Sequence, residues 1–227
     1  MSQDNFTQEA VNTLNNIVKS VFYGRDIVNE PLSTLKAKEI SESAKKVSDE
    51  AGIQYKELGI DAIRSLKMGG VLGVNQGSEL DPTFTVLEWK PENAINKKPI
   101  VLVGKGVVYD TGGYSIKVGD GMMTMKCDMG GAAAVFGSTY LAALEKLPLH
   151  IITLVPAVEN RINEKAFVPG DVLTISDGTT IEVLNTDAEG RLILADALVY
   201  ARQFDPEFVF DFATLTGAAM RAIGTKK

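Results

Sequence analysis

The sequence predicts an α/β fold, a central, mostly parallel mixed sheet with helices on both faces. Three observations predict it. The run Ile100–Val103 is wholly apolar and Leu149–Val155 is another apolar run, as strands buried on both sides require. From residue 100 onward such runs alternate with helical stretches, the order that builds layered α/β proteins. Glycine-rich or polar segments follow the strands, at the carboxyl ends where open α/β sheets carry their sites. The 227 residues are read as a single α/β domain, with residues 1–98 as a helical and strand lead-in and 99–227 as the core.

Taken in order, Val11, Leu14, Val18, Val21 and Phe22 recur at helical spacing, so an amphipathic helix is expected over 7–25. A second helix carries its stripe at Ala37, Ile40, Ala44, Val47 and Ala51, with Ser33 or Thr34 as cap and Gly52 as stop. Ile53–Leu58 reads as a short strand, and Asp61–Met68 as a short helix ended by Gly69-Gly70. Thr83–Trp89 alternates like a strand, and a polar loop over 90–98 precedes the apolar run at 100. Small residues make the helix expected from Gly131 to Lys146 suited to close packing on a sheet. A long loop over 156–171, a β-type run Thr180–Leu184, a helix over 192–203, a strand Phe208–Asp211 and a turn Ala213–Gly217 complete the reading.

Composition excludes several functions. The net charge is −6 with no Lys/Arg-rich block, which argues against nucleic acid or an anionic membrane as main partner. No apolar run approaches the ~18–20 residues of a membrane span, no signal-peptide pattern is seen, and Cys127 has no second cysteine to pair with. A cytoplasmic location is the expectation. His150 is the only histidine, which removes H-E-x-x-H zinc proteases, three-histidine zinc sites and Cys/His catalytic pairs; no G-x-S-x-G elbow is present either. Hydrolytic chemistry here must use carboxylates and lysines, with or without metal.

That chemistry concentrates in Asn185-Thr186-Asp187-Ala188-Glu189-Gly190-Arg191-Leu192, which puts two carboxylates and a guanidinium at alternate positions. In extended backbone these side chains converge on one side of a strand end. Carboxylates so placed repel unless one protonates or a cation sits between them, although a polar turn capping the next helix would look the same. Lys105, Asp110 and Lys117 follow the strand at 100–103, and Asp128 comes further on. Four carboxylates, two lysines and an arginine suit two divalent cations held about 3.5–4 Å apart. Each also has a structural reading: Asp110 before Thr111-Gly112-Gly113 starts a turn, Asp128 caps a helix, Cys127 is a packed small residue and His150 is structural. As a metal ligand Lys105 would have to be neutral, at a cost of about 4–5 kcal/mol at pH 7.

The NTDAEGRL stretch (185–192), Val103–Gly106, Asp110–Lys117, Met125–Ala133 and Ala213–Ala218 together resemble the leucyl (cytosol) aminopeptidases, dinuclear metallo-exopeptidases, over nearly the whole chain. The resemblance implies a zinc-exopeptidase-like domain that releases N-terminal amino acids, leucine-like ones preferred. It implies one metal on Lys105, Asp110, Asp128 and Glu189, and another on Asp110, Asp187 and Glu189, zinc or manganese being expected. It gives Lys117 the role of stabilising the oxyanion formed when a bridging hydroxide attacks, and Arg191 that of holding a bicarbonate-like general base. Met125, Thr214 and Gly217 match positions lining the pocket for the first side chain, with Asn185, Ala188 and Leu215 as further substrate-binding positions. Peptide substrates and a homo-hexamer are implied as well. Family enzymes carry a further N-terminal domain and continue past the Thr214–Gly217 turn, so an incomplete domain is expected. The alternative is an inactive fragment or a non-catalytic scaffold. A phosphate-binding enzyme built on Gly104–Gly106 lacks the G-x-x-x-x-G-K-[ST] it would need.

Overall fold

The structure is a computed structural model describing residues 7–224. Its strands are β1 (Gln54–Leu58), β2 (Thr83–Trp89), β3 (Ile100–Gly104), β4 (Gly106–Asp110), β5 (Ile151–Asn160), β6 (Val172–Thr174), β7 (Thr180–Glu182) and β8 (Phe208–Phe212). The helices are α1 (Gln8–Asn29), α2 (Ala37–Ala51), α3 (Ile60–Ser65), α4 (Gly69–Asn75), α5 (Gly130–Leu144), α6 (Glu189–Ala201) and α7 (Ala218–Ile223). The main sheet runs β1-β2-β5-β3-β8, with β4 also paired to β5. Pairings β3–β5, β3–β8 and β4–β5 are parallel, whereas β1–β2 and β2–β5 are antiparallel. The expected mostly parallel mixed sheet is what forms. β6 and β7 make a separate antiparallel hairpin.

Two apolar layers cover the sheet. One gathers Ile63, Val71, Phe84, Val101, Val103, Leu154 and Ile193, from α3, α4, α6 and the facing strand residues. The other gathers Ile27, Ile40, Ala44, Leu87, Ala132, Phe136 and Val155, from α1, α2, α5 and the opposite strand face. Val101 and Val103 point into the first layer while Leu102 packs on the second, the period of two that a doubly covered strand shows. No helix among the described residues is long and apolar enough to cross a membrane.

Several elements differ from their sequence-based expectation, each for a local reason. The stripe that marks α1 as a helix faces outward: Leu14 is 59% exposed and Phe22 53%. Its inner face is instead Thr13, Asn16, Ser20 and Gly24, small or polar residues that let α1 lie close on the Ala/Gly surface of α5, with Ile27 buried in the second layer. Thr13 and Asn16 donate to the Glu145 carboxylate just beyond α5, at 2.8 and 2.7 Å. Neither Ser33 nor Thr34 caps α2; Lys36 holds that position and its backbone N–H donates to Glu39 Oε2, while the Thr34 hydroxyl donates to Glu30. Gly69-Gly70 opens α4 rather than closing the preceding helix, because the buried Asp196 carboxylate accepts from the Val71 N–H at 3.0 Å.

The segment after 155 is also strand, not loop. β5 continues to Asn160 because β4, which the sequence reading did not resolve from its loop, supplies a second parallel partner after β3 ends. Pro156, which has no N–H, stands where that partner changes over, between the Val103–Leu154 and Gly106–Ala157 pairs. Lys105 is the residue at this break. Its N–H donates to the Phe212 carbonyl at 3.0 Å and its carbonyl accepts from the Ala132 N–H at 2.9 Å.

Candidate metal centre

The residues that position the site come from strand ends and helix starts. Lys105 sits between β3 and β4, Asp110 ends β4, Asp128 precedes α5, and Asp187 and Glu189 lie in the turn leading into α6. The turn over 186–188 is a single 3₁₀ turn whose cap is Asn185: its side-chain oxygen accepts from the Asp187 N–H at 2.8 Å. Glu189 then opens α6, close to the partial positive charge of the helix start. Gly190 is required by close approach, since a Cβ there would lie 2.7 Å from Lys105 Cε. Gly112, at φ +85°, reverses the chain after Asp110 in a conformation other residues rarely adopt.

These groups line a cavity of about 340 Å³, together with Lys117, Met125, Cys127, Ala213, Thr214, Leu215, Thr216, Gly217 and Met220. On its floor the Lys105 ammonium lies 2.7 Å from Asp128 Oδ2 and 2.8 Å from Glu189 Oε1, and donates to the Thr214 carbonyl at 2.9 Å. The Thr214 hydroxyl donates to Asp128 Oδ1 at 2.8 Å, which ties the turn after β8 to the floor. Nearer the mouth, Lys117 Nζ lies 2.8 Å from Asp110 Oδ2 and 2.6 Å from Asp187 Oδ1.

Burial opposes the charge on Lys105, but the Glu189 and Asp128 carboxylates outweigh it and hold the ammonium above its ordinary pKa. Lys117 follows the same pattern: partial burial lowers it, and hydrogen bonds to Asp110 and Asp187 raise it well above the usual lysine range. Burial pushes the Asp128 carboxyl up, against the pull of Lys105. Four carboxylates face two ammonium groups, so with all ionised the cavity lacks two positive charges.

That deficit, and the donor geometry, fit a divalent cation. Carboxylate oxygens of Asp110, Asp187 and Glu189 all lie within 4.8 Å of one another. Glu189 Oε2 is buried without a hydrogen-bond partner among the described residues. An orphaned carboxylate oxygen in a buried cluster is the signature of a site shaped for a cation.

Of the residues expected from sequence, Lys105, Asp110, Lys117, Asp128, Asp187 and Glu189 converge on this cavity, and Met125, Thr214, Leu215 and Gly217 line it. Asn185, Ala188 and Arg191 are not on its lining; Asn185 acts as the cap described above, Ala188 precedes α6, and Arg191 is exposed on the first turn of α6. Cys127, read as a packed small residue, is half-buried on the cavity wall. His150 is structural as expected, its Nε2 lying 2.7 Å from Glu88 Oε1. Sequence reasoning missed Met220 and Thr216 on the wall, and the polar residues Asn160, Thr186 and Ser115 behind it. Thr186 lay inside the 185–192 stretch and could have been found there; Asn160, set in an expected loop, gave no signal.

A mixed, mostly parallel sheet gathers lysines and carboxylates at its strand ends, so the class is an α/β domain with a charged cavity at that edge of the sheet. Residues 22–227 match the sequence profile of the cytosol aminopeptidase family, catalytic domain, and the chain belongs to that family. It is 49% identical over 201 residues to a probable cytosol aminopeptidase of Chlorobium limicola, covering 88% of this chain and 40% of that one. With a probable cytosol aminopeptidase of Syntrophotalea carbinolica it shares 47% identity over 215 residues, 95% of this chain and 43% of the relative. The crystal structure of the cytosol aminopeptidase from Coxiella burnetii superposes with a TM-score of 0.89 at 36% identity, over 96% of this chain and 47% of that one. The chain thus spans about two fifths of the length of these curated relatives.

Proposed function

We propose that the protein is a metal-dependent aminopeptidase that releases N-terminal residues, leucine-like ones preferred, from peptides. The observation that carries this reading is the cavity itself, with four carboxylates, two ammonium groups and an unpartnered Glu189 oxygen. Lys105, Asp110, Asp128 and Glu189 would hold one divalent ion, and Asp110, Asp187 and Glu189 a second, with zinc or manganese the expected occupants. Bound there, the ions would polarise the scissile carbonyl and activate water.

The chain's own residues supply the rest. Lys117, kept charged and aimed by Asp110 and Asp187, donates to the carbonyl oxygen as negative charge develops on it. Met125, Thr214, Leu215 and Gly217 form the wall against which the first side chain would rest. Arg191 is assigned a bicarbonate-like anion by resemblance; its exposure leaves the guanidinium free to bind one. We also read the full-length protein as a cytoplasmic homo-hexamer acting on peptides. The net charge of −6 argues against nucleic acid as its partner.

Release of leucine from leucyl amide, with and without chelator, tests the function. Activity that chelator abolishes and zinc or manganese restores is the expected result. Metal-independent release would sink the mechanism, and silence in both this chain and a longer form would put the scaffold reading first.

A further inference from the structure

Asn160, the last residue of β5, is fully buried, and neither its identity nor its neighbours had marked it as functional. Its side-chain nitrogen donates twice, to Asp110 Oδ1 at 2.8 Å and to the Thr186 carbonyl at 2.9 Å. The two acceptors fix the orientation of the amide, because turning it over would set its oxygen against a carboxylate and a carbonyl. Its main-chain carbonyl accepts from both the N–H and the hydroxyl of Thr111, at 3.1 and 2.8 Å. One residue is therefore bonded to the end of β4 and to the turn before α6, the two segments that carry Asp110 and Asp187.

We propose that Asn160 is a positioning residue for the metal centre, locking Asp110 and Asp187 into the register in which both can reach one ion. This rests on the metal-centre reading above. Asp110 Oδ1 accepts from Asn160 and from the Gly112 N–H at 2.9 Å, so its directions are taken and Oδ2 is left facing the cavity, where Lys117 meets it. Holding the Thr186 carbonyl fixes the peptide plane from which Asp187 projects. Thr186 completes the brace: its hydroxyl donates to the Gly112 carbonyl at 2.6 Å and accepts from the Ser115 N–H at 2.7 Å. An aspartate at position 160 would keep the shape and bring a third carboxylate against Asp110. The floor ligands Asp128 and Lys105 share no hydrogen bond with Asn160 among the described residues, so its influence falls on one ion more than on the other.

The test is calorimetric titration of the metal-free chain with Mn²⁺, on wild type, Asn160→Asp and Asn160→Ser, each with its metal-free melting temperature. We expect two binding events in wild type; in both variants the one that uses Asp110 and Asp187 weakens about 10- to 100-fold, and the other, which shares only Asp110, weakens clearly less. Two unchanged events in a folded variant overturn the proposal, as does equal weakening of both in step with a lowered metal-free melting temperature, the mark of a merely structural role. Should Asn160→Asp fail to fold, the smaller Asn160→Ser decides alone. A wild type that binds no Mn²⁺ overturns the metal-centre reading and this inference with it, an outcome distinct from failure in the variants only.

Discussion

Lys105 and Lys117 each bridge two carboxylates within one cavity, yet the side chain of Lys105 is 3% exposed and that of Lys117 17%, with Asp187 beside it at 34%. On the floor, solvent is excluded and every charge leans on another; at the mouth, water shares the task. The floor pairing follows from backbone that has no freedom: Lys105 is clasped by β8 and α5, and Gly190 packs against its stem. The mouth pairing hangs on the loop after Gly113, with Lys117 partly open to solvent. On the proposed reading, the same residue type serves as foundation in one place and as reagent in the other.

Three measurements break or sharpen that contrast. Lys105→Ala leaves Asp128 and Glu189 buried without their counter-charge, and should cost about 3–5 kcal/mol of metal-free stability by denaturant unfolding. A loss under about 1 kcal/mol would mean the floor is wetter than its burial implies. Lys117→Ala should lower turnover about 100- to 1,000-fold while leaving metal content near wild type, and should destabilise less than Lys105→Ala. Unchanged turnover would remove Lys117 from the chemistry.

The smallest effect concerns protons. Lys105 is an ammonium below its raised pKa, so to ligate a metal it must give up a proton. Metal affinity should then climb as pH rises, by at most tenfold, about 1.4 kcal/mol, per pH unit. Calorimetry in two buffers of different ionisation enthalpy, at a pH above the raised value of about 7 for the Asp128 carboxyl, should count one proton released as the Lys105 site fills. Affinity flat with pH would leave Lys105 a bystander ammonium.

How much of this was legible in the sequence varies with what each residue must satisfy. β3 and the first half of β5 were readable because burial on both faces leaves almost only apolar side chains, Thr153 being the exception. α2 was readable because its stripe does face the core, with Ile40 and Ala44 fully buried. α1 misled: helical period is set by the backbone, while the choice of inward face went to the small residues that fit α5. β4 and the end of β5 were hidden by glycines and a proline, whose strand propensity is poor and whose pairing depends on a partner far along the chain. At the site, charged residues at strand ends announced themselves by type and spacing. Asn160 did not, because a bracing residue is defined by two acceptors that only the folded chain brings together.

β8 pairs with β3 across 108 positions of chain, Phe208 against Ile100, and carries the Thr214 turn that completes the floor of the cavity. Contacts over such separations form late, after the loop between them has been closed at an entropic cost. β1, β2, β3 and β5 and both apolar layers can therefore assemble while Lys105 and Asp128 still await their third partner. The cavity floor therefore depends on the longest-range pairing in the main sheet: without β8 against β3, Thr214 would be lost to Lys105 and Asp128 while both apolar layers kept most of their members.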